Sequence, residues 1–154
     1  MEILYDSDAD AIYHMMVEED VKRIMQAPFT HIASDGSART FGDSVPHLRN
    51  YGTFPRVLSK YVREEGVLSL EQAIHKMTAM PASRINLRTR GILAEGMTAD
   101  INIFDPETVS DNDDWANPHQ YATGFSYVIV GGVPVIDQGA RTDVFPGRVI
   151  KRGQ

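Results

Sequence analysis

The sequence predicts an α/β chain of two regions, and three observations carry that reading. Apolar residues recur at helical spacing through residues 1–90, they fall into short stretches bounded by Gly, Pro and Asp through 91–154, and the texture changes near Gly91. With 154 residues, 42% hydrophobic and 23% charged, the chain is ordinary globular material. A chain of that length buries roughly 68–70% of the surface its unfolded form exposes, enough for a cooperative core without covalent staples. There is no cysteine, so no disulfide can form.

In the N-terminal region, Glu18-Glu19-Asp20 ahead of Val21, Ile24 and Met25 places acids at a helix start with an apolar stripe behind them, and Pro28 is the stop. Thr30 to Ser34, bounded by Pro28 and by Asp35-Gly36, reads as a short buried strand ending in a sharp turn. Ser37 to Gly52 shows neither period and is as long as structureless loops become before function has to explain them, so it is a candidate active-site or binding loop. Thr53 is placed to cap a helix with Val57, Leu58, Tyr61 and Val62 on one face and Gly66 as its stop. Ser69 and Gln72 form a capping-box pattern ahead of Leu70, Ala73, Ile74 and Met77. Pro81 then marks the start of a short helix over Ala82 to Leu87. Met15, Met16, Met25, Met77 and Met80 read as core filler.

In the C-terminal region, Ile101 and Ile103 flank Asn102 in a strand, and Tyr127 to Val130 meets Pro134 to Ile136 across Gly131-Gly132 in a hairpin. Asp105 to Gln120 lies between them and carries Asp105, Glu107, Asp111, Asp113 and Asp114, an acid density that reads as a solvated loop. Trp115 is expected to anchor that loop onto the core. The run Asp111-Asn112-Asp113-Asp114 lacks the glycine and distal glutamate of a calcium loop.

Charge narrows the partners. Fifteen Lys and Arg against 21 Asp and Glu give a net charge of −6, the wrong sign for life on a phosphate backbone, so no nucleic-acid partner is expected. No apolar run reaches the ~18–20 residues of a membrane span, and Met1 to Asp10 lack the basic-then-apolar order of a signal peptide. The expectation is a soluble, unexported, cytoplasmic chain.

His14, His31, His47, His75 and His119 are scattered with no pair at a metal-ligand spacing. Asp35 follows a strand and precedes a glycine, which holds a carboxylate at a strand's C-terminal edge, where chemistry collects in parallel α/β folds. It equally suits a local turn cap, and the residues alone favour that plainer role. His31 shares a strand face with Asp35 but stands ~13 Å away, too far to share an ion. It reads as a packed interior histidine, and His75 as half-exposed surface. His47, Arg49 and Tyr51 could recognise an anion: Arg49 offers a bidentate fork and Tyr51 a ring or a hydroxyl. The alternative, slightly favoured on the residues alone, is a solvent-facing Arg49 paired with Asp43 or with nothing.

Ser34-Asp35-Gly36 followed by the run from His47 through Arg49-Asn50-Tyr51-Gly52-Thr53-Phe54-Pro55-Arg56 to Leu58 resembles the N-acyl-D-amino-acid deacylases (D-aminoacylases) of the amidohydrolase superfamily. Lys76-Met77-Thr78, Pro81-Ala82, Arg90 to Leu93, Glu95-Gly96, Ala99 to Ile101 and Phe104 to Pro106 continue the likeness. Pro118 to Gln120, Gly131-Gly132 and Pro146 to Val149 extend it, so that it runs from about Tyr13 to Arg152. Between Gly36 and His47 the chain lacks the family's His- and Pro-rich stretch, so acyl and side-chain preference do not carry over.

The resemblance implies the C-terminal fragment of a metal-dependent (β/α)8 barrel over 1–90 and C-terminal strands of a small β-sandwich over 91–154. It implies a parent enzyme that hydrolyses N-acyl-D-amino acids with zinc. Asp35 then becomes the catalytic general base at the end of the eighth strand, beside the metal and contributing to it. Arg49 clasps the substrate α-carboxylate, and His47 and Tyr51 stand in the same substrate-binding wall. One carboxylate cannot hold a catalytic zinc, which takes three protein ligands and an open position, so the isolated chain is expected to bind no metal tightly and to be inactive. A cut barrel exposes an apolar flank, so self-association is expected. The rivals are a dihydroorotase- or hydantoinase-like amidohydrolase and a non-catalytic interaction module on the same scaffold.

Overall fold

The structure, a computed structural model, describes residues 15–38, 40–112 and 114–151. The expectations that rest on Met1 to Asp10, on His14 and on Asp113 lie outside the described residues.

Helix α1 (Glu18–Gln26) opens on its three acids and ends two residues before Pro28. Met15 and Met16 are not core filler; they stand ahead of α1, largely exposed, whereas Met25 and Met77 pack against the core. Residues 30–34 are extended but form no regular strand, and they are only half buried. Thr30, Ile32 and Ser34 turn inward while His31, Ala33 and Asp35 face out, the period of two that extended backbone imposes. His31 is therefore exposed and not interior, because the alternation assigns the inward face to Ile32.

What holds this segment is Lys76, a lysine with only 5% exposure. Its ammonium donates to the carbonyls of Ala27 (2.5 Å) and Thr30 (3.0 Å) and to Thr30 Oγ1 (3.3 Å). The Ile32 N–H donates in turn to the Lys76 carbonyl at 3.2 Å. A buried ammonium is tolerable only when its donors are met, and here both ends of the same residue clasp one segment.

Helix α2 (Arg49–Arg56) begins at Arg49 and not at Thr53, whose hydroxyl donates back to the Arg49 carbonyl at 3.1 Å. Beyond Pro55, whose ring removes a backbone donor, the helix widens into a π-helical stretch, Val57–Glu64, and Glu65 N–H reaches the Lys60 carbonyl five residues back. Gly66 follows with φ of +60°. Helix α3 (Leu70–Met77) carries the expected capping box: Gln72 N–H donates to Ser69 Oγ at 3.2 Å and Ser69 N–H to Gln72 Oε1 at 2.9 Å. Helix α4 (Ala79–Arg84) starts before Pro81, which sits within its first turn, and ends before Leu87. His75 is exposed on α3.

Four antiparallel strands follow in the order β1 (Ile101–Phe104), β2 (Phe125–Val130), β3 (Val133–Asp137), β4 (Ala140–Arg141). The β2–β3 turn holds Gly131 at φ +58° and Gly132 at +86°, the primed geometry that two glycines permit. Asp100 accepts the Gly131 N–H at 2.8 Å and pairs with Arg90, pinning the turn to the approach of β1. Strand β4 is too short to show an apolar alternation; its signal is Gln138-Gly139, both at positive φ, which turns the chain back a second time.

The core crosses the change of texture. Val57, Leu58, Tyr61 and Ala73 from the helices and Leu68 from the turn before α3 are buried with Val109 from the acidic connection, and Phe104 and Phe125 pack against them from the sheet. The connection is thus not a freely solvated loop. Arg63 donates to the Val109 carbonyl (2.6 Å) and the Pro106 carbonyl (3.1 Å). Asp111, its side chain 10% exposed, accepts from Arg56 Nη1 at 3.0 Å and Ser59 Oγ at 2.9 Å. An acid is buried here because its charge is matched. Gly124, at φ +85°, lies so close that a Cβ would fall 2.4 Å from Val109 Cα.

Two outcomes are expected. Lys76→Met leaves the Ala27 and Thr30 carbonyls without their charged donor and lowers unfolding free energy by about 2–3 kcal/mol, read from urea denaturation. The second concerns pH. The Lys60 hydrogen bond (2.7 Å) holds the Glu18 carboxyl below its ordinary 4.5, against the opposing effect of burial. That stabilisation is present above the unfolded value and lost as pH falls through the lowered folded one, so Glu18→Gln flattens the decline of melting temperature below about pH 4.5.

Candidate active site

Asp35 ends the extended segment with φ of +49°, a left-handed conformation uncommon for an aspartate. The N–H of the turn that follows it is taken by a neighbour: Gly36 N–H donates to Ser34 Oγ at 3.1 Å. The Asp35 carboxylate instead meets Arg49, with Oδ2 to Nη2 at 3.2 Å. Arg49 is therefore paired with Asp35 and not with Asp43. Both side chains are open, 87% exposed for Asp35 and 44% for Arg49. An ion pair so exposed contributes on the order of 0–1 kcal/mol, so either partner can be taken by a ligand at little cost.

The sequence builds this meeting locally. Gly36 lies against the first turn of α2, where a Cβ would stand 3.1 Å from the Arg49 carbonyl oxygen and 3.2 Å from Asn50 Cα. Asn50 Oδ1 accepts the Ser37 N–H at 2.9 Å, tying the start of the loop to the same turn. His47 Nδ1 accepts the Arg49 N–H at 3.1 Å, satisfying one of the donors a helix start leaves over. The His47 ring then meets Trp115 edge-on, centroids 5.1 Å apart. Trp115 thus anchors the acidic connection to the candidate site and not to the core; it remains 42% exposed.

Helix α2 separates what the sequence groups together. Residues two apart on a helix do not share a face, and Arg49 turns to Asp35 while Tyr51 turns to the connection. The Tyr51 hydroxyl lies 3.1 Å from His119 Nδ1, within a ring cluster that includes Phe41 and Tyr121. The Pro118 to Gln120 motif flags His119 only as part of a likeness, with no role; its partner Tyr51 lies 68 positions away, so no local pattern reveals the contact. A concavity of about 1160 Å³ lies between that aromatic wall and the sheet face bearing Val128, Val130 and Ile136, and among the described residues Arg141 is its one charged member. It is lined by neither Asp35 nor Arg49, so the candidate chemistry lies outside this groove.

Comparison with known proteins gives this geometry a context. The model of the amidohydrolase family matches residues 4–136. The chain belongs to the amidohydrolase family. It is 45% identical over 144 residues to the D-aminoacylase of Alcaligenes xylosoxydans xylosoxydans, covering 94% of this chain and 29% of that enzyme. The crystal structure of D-aminoacylase superposes with a TM-score of 0.84 at 41% identity, over 91% of this chain and 29% of the other. The N-acyl-D-glutamate deacylase of Bordetella bronchiseptica, solved with zinc and a phosphonate mimic of the tetrahedral intermediate, gives 0.72 at 43% identity, over 78% and 25%. Matches to dihydroorotases are shorter, such as 33% identity over 64% of the chain with that of Endomicrobium trichonymphae. The chain spans under a third of the length of the deacylases it matches.

Zinc, bound in that Bordetella relative, finds no complete site among the described residues. Asp35 offers one carboxylate, and among those residues no group of three His, Cys, Asp or Glu surrounds it. The donor set does not fit a zinc ion on its own.

Proposed function

We propose that these residues form the C-terminal portion of an enzyme that hydrolyses the amide bond of N-acyl-D-amino acids, with Asp35 and Arg49 as the portion's contribution to its active site. The Asp35–Arg49 approach at 3.2 Å carries this reading, supported by the likeness to deacylases over most of the chain. Amide hydrolysis needs one group to take a proton from the attacking water and return it to the leaving amine, and an exposed carboxylate on a strand-like edge is suited to both. A free α-carboxylate on the substrate matches the Arg49 guanidinium in charge and fork geometry. Substrate would take the place at Arg49 that Asp35 holds here, so binding and the freeing of the base are one event. His47 and Tyr51 support the substrate wall, His47 by setting the helix start that presents Arg49.

The face of residues 31–35 that looks outward is the face a barrel strand would turn to the lumen, and residues 91–154 supply sandwich strands. The apolar groove and the exposed Phe29, Leu93 and Phe145 are then surfaces that the remainder of a longer enzyme covers. On its own the chain self-associates, which sedimentation velocity reads as a concentration-dependent rise in mean mass; a monomer at every concentration opposes this.

The functional test is a chimera in which this chain replaces the matching segment of the Alcaligenes D-aminoacylase, assayed on N-acetyl-D-amino acids beside hydantoins. Asp35→Asn is expected to lower kcat by about 10²–10⁴-fold. Arg49→Lys keeps the charge, loses the fork and raises KM by about tenfold or more. Preference for the ring substrate, or an unchanged KM in the lysine variant, overturns the assignment.

A further inference from the structure

We propose that His119 is a positioning residue that latches the loop between Asp35 and Arg49, and so sets substrate affinity without touching substrate. The proposal rests on the deacylase reading for its consequence and on geometry alone for its mechanism. His119 Nε2 lies 2.9 Å from the Ser44 carbonyl oxygen, which can only accept, so the ring hydrogen sits on Nε2. Nδ1 is then a lone pair, and it receives both the Gly42 N–H (3.1 Å) and the Tyr51 hydroxyl (3.1 Å). The ring also packs on Phe41 at 5.4 Å between centroids, and Phe41 stacks on Tyr121 at 4.8 Å.

The loop needs such a hold. Gly42 stands at φ +84° and Ser44 at +55°, and a left-handed serine is a conformation that surrounding structure must impose. One imidazole joins both of these residues to α2 through Tyr51 and to the connection that carries His119 itself. The loop it fixes starts at the residue after Asp35 and ends two residues before Arg49. Loosening it lets the base and the carboxylate clasp drift relative to each other, which lowers affinity for a substrate that must meet both.

Three variants separate the contributions. His119→Phe keeps the ring packing and removes the hydrogen bonds, whereas His119→Asn returns an acceptor near the Nδ1 position. In the 154-residue chain, His119→Phe is expected to speed amide exchange at Gly42 by about tenfold or more, with exchange at Gly132 in the β2–β3 turn unchanged, and His119→Asn to recover most of the protection. In the chimera, His119→Phe raises KM by about tenfold while kcat stays within about threefold, and His119→Asn again restores it. Tyr51→Phe, which removes one hydroxyl, raises KM in the same direction by less. Unchanged exchange at Gly42 in His119→Phe, or an unchanged KM despite faster exchange, overturns the proposal. Should His119→Phe not fold, the nitrogen resonances of the wild-type imidazole decide: an Nε2-protonated neutral ring is expected, and an Nδ1-protonated one refutes the latch. A wild-type chimera inactive on N-acetyl-D-amino acids defeats the deacylase reading, while the exchange and tautomer results still judge the latch.

Discussion

The site depends on where the segment after α1 runs, and that course is set by one buried ammonium. Lys76 donates from its ammonium to the Ala27 and Thr30 carbonyls and accepts the Ile32 N–H at its own backbone oxygen. Extended backbone with no neighbouring strand would otherwise leave its polar groups to water. With 30–32 fixed, the alternation of the following residues decides that Ile32 packs inward and Asp35 emerges outward, opposite the start of α2. A charge placed deep inside the protein thus determines where a charge at its surface stands.

The second constraint is the docking of the acidic connection onto the helices. Val109 is buried, Asp111 answers Arg56 and Ser59, Trp115 meets His47, and His119 reaches Tyr51 and the 40–45 stretch. These contacts join the small sheet and the helices into a single body around the candidate site. They also split the labour of α2: Arg49 faces the acid that the extended segment delivers, and Tyr51 faces the connection.

Much of this was legible in the sequence. The capping box at Ser69, the acid-led α1 and the Gly-Gly hairpin follow from local chemistry, because the groups that decide them lie within a few residues; Asp35 and Arg49 stand out as candidates, but their meeting depends on how the extended segment is placed against α2 and is not written in either local stretch. The environments of Asp111, Trp115 and Lys76 are decided by partners far along the chain, Arg56, His47 and Ala27, while His31 faces out because the alternation turns Ile32 inward. Thr53 looked like a cap because a hydroxyl ahead of an apolar face fits that role; the helix begins earlier because His47 and the contact with Gly36 stabilise its first turn at Arg49. Likewise Arg49 and Tyr51 looked like neighbours in a loop, and a helix starting at Arg49 turned them apart.

The close approach of Gly124 to Val109 has an effect on how this chain can change. Residues 105–120 have the composition of a stretch that would accept insertions, yet they are stitched down repeatedly before the backbone passes within touching distance of itself. One added residue would put every later stitch out of step with its hole. By makeup it is a surface loop; in its tolerance of length change it belongs with the interior.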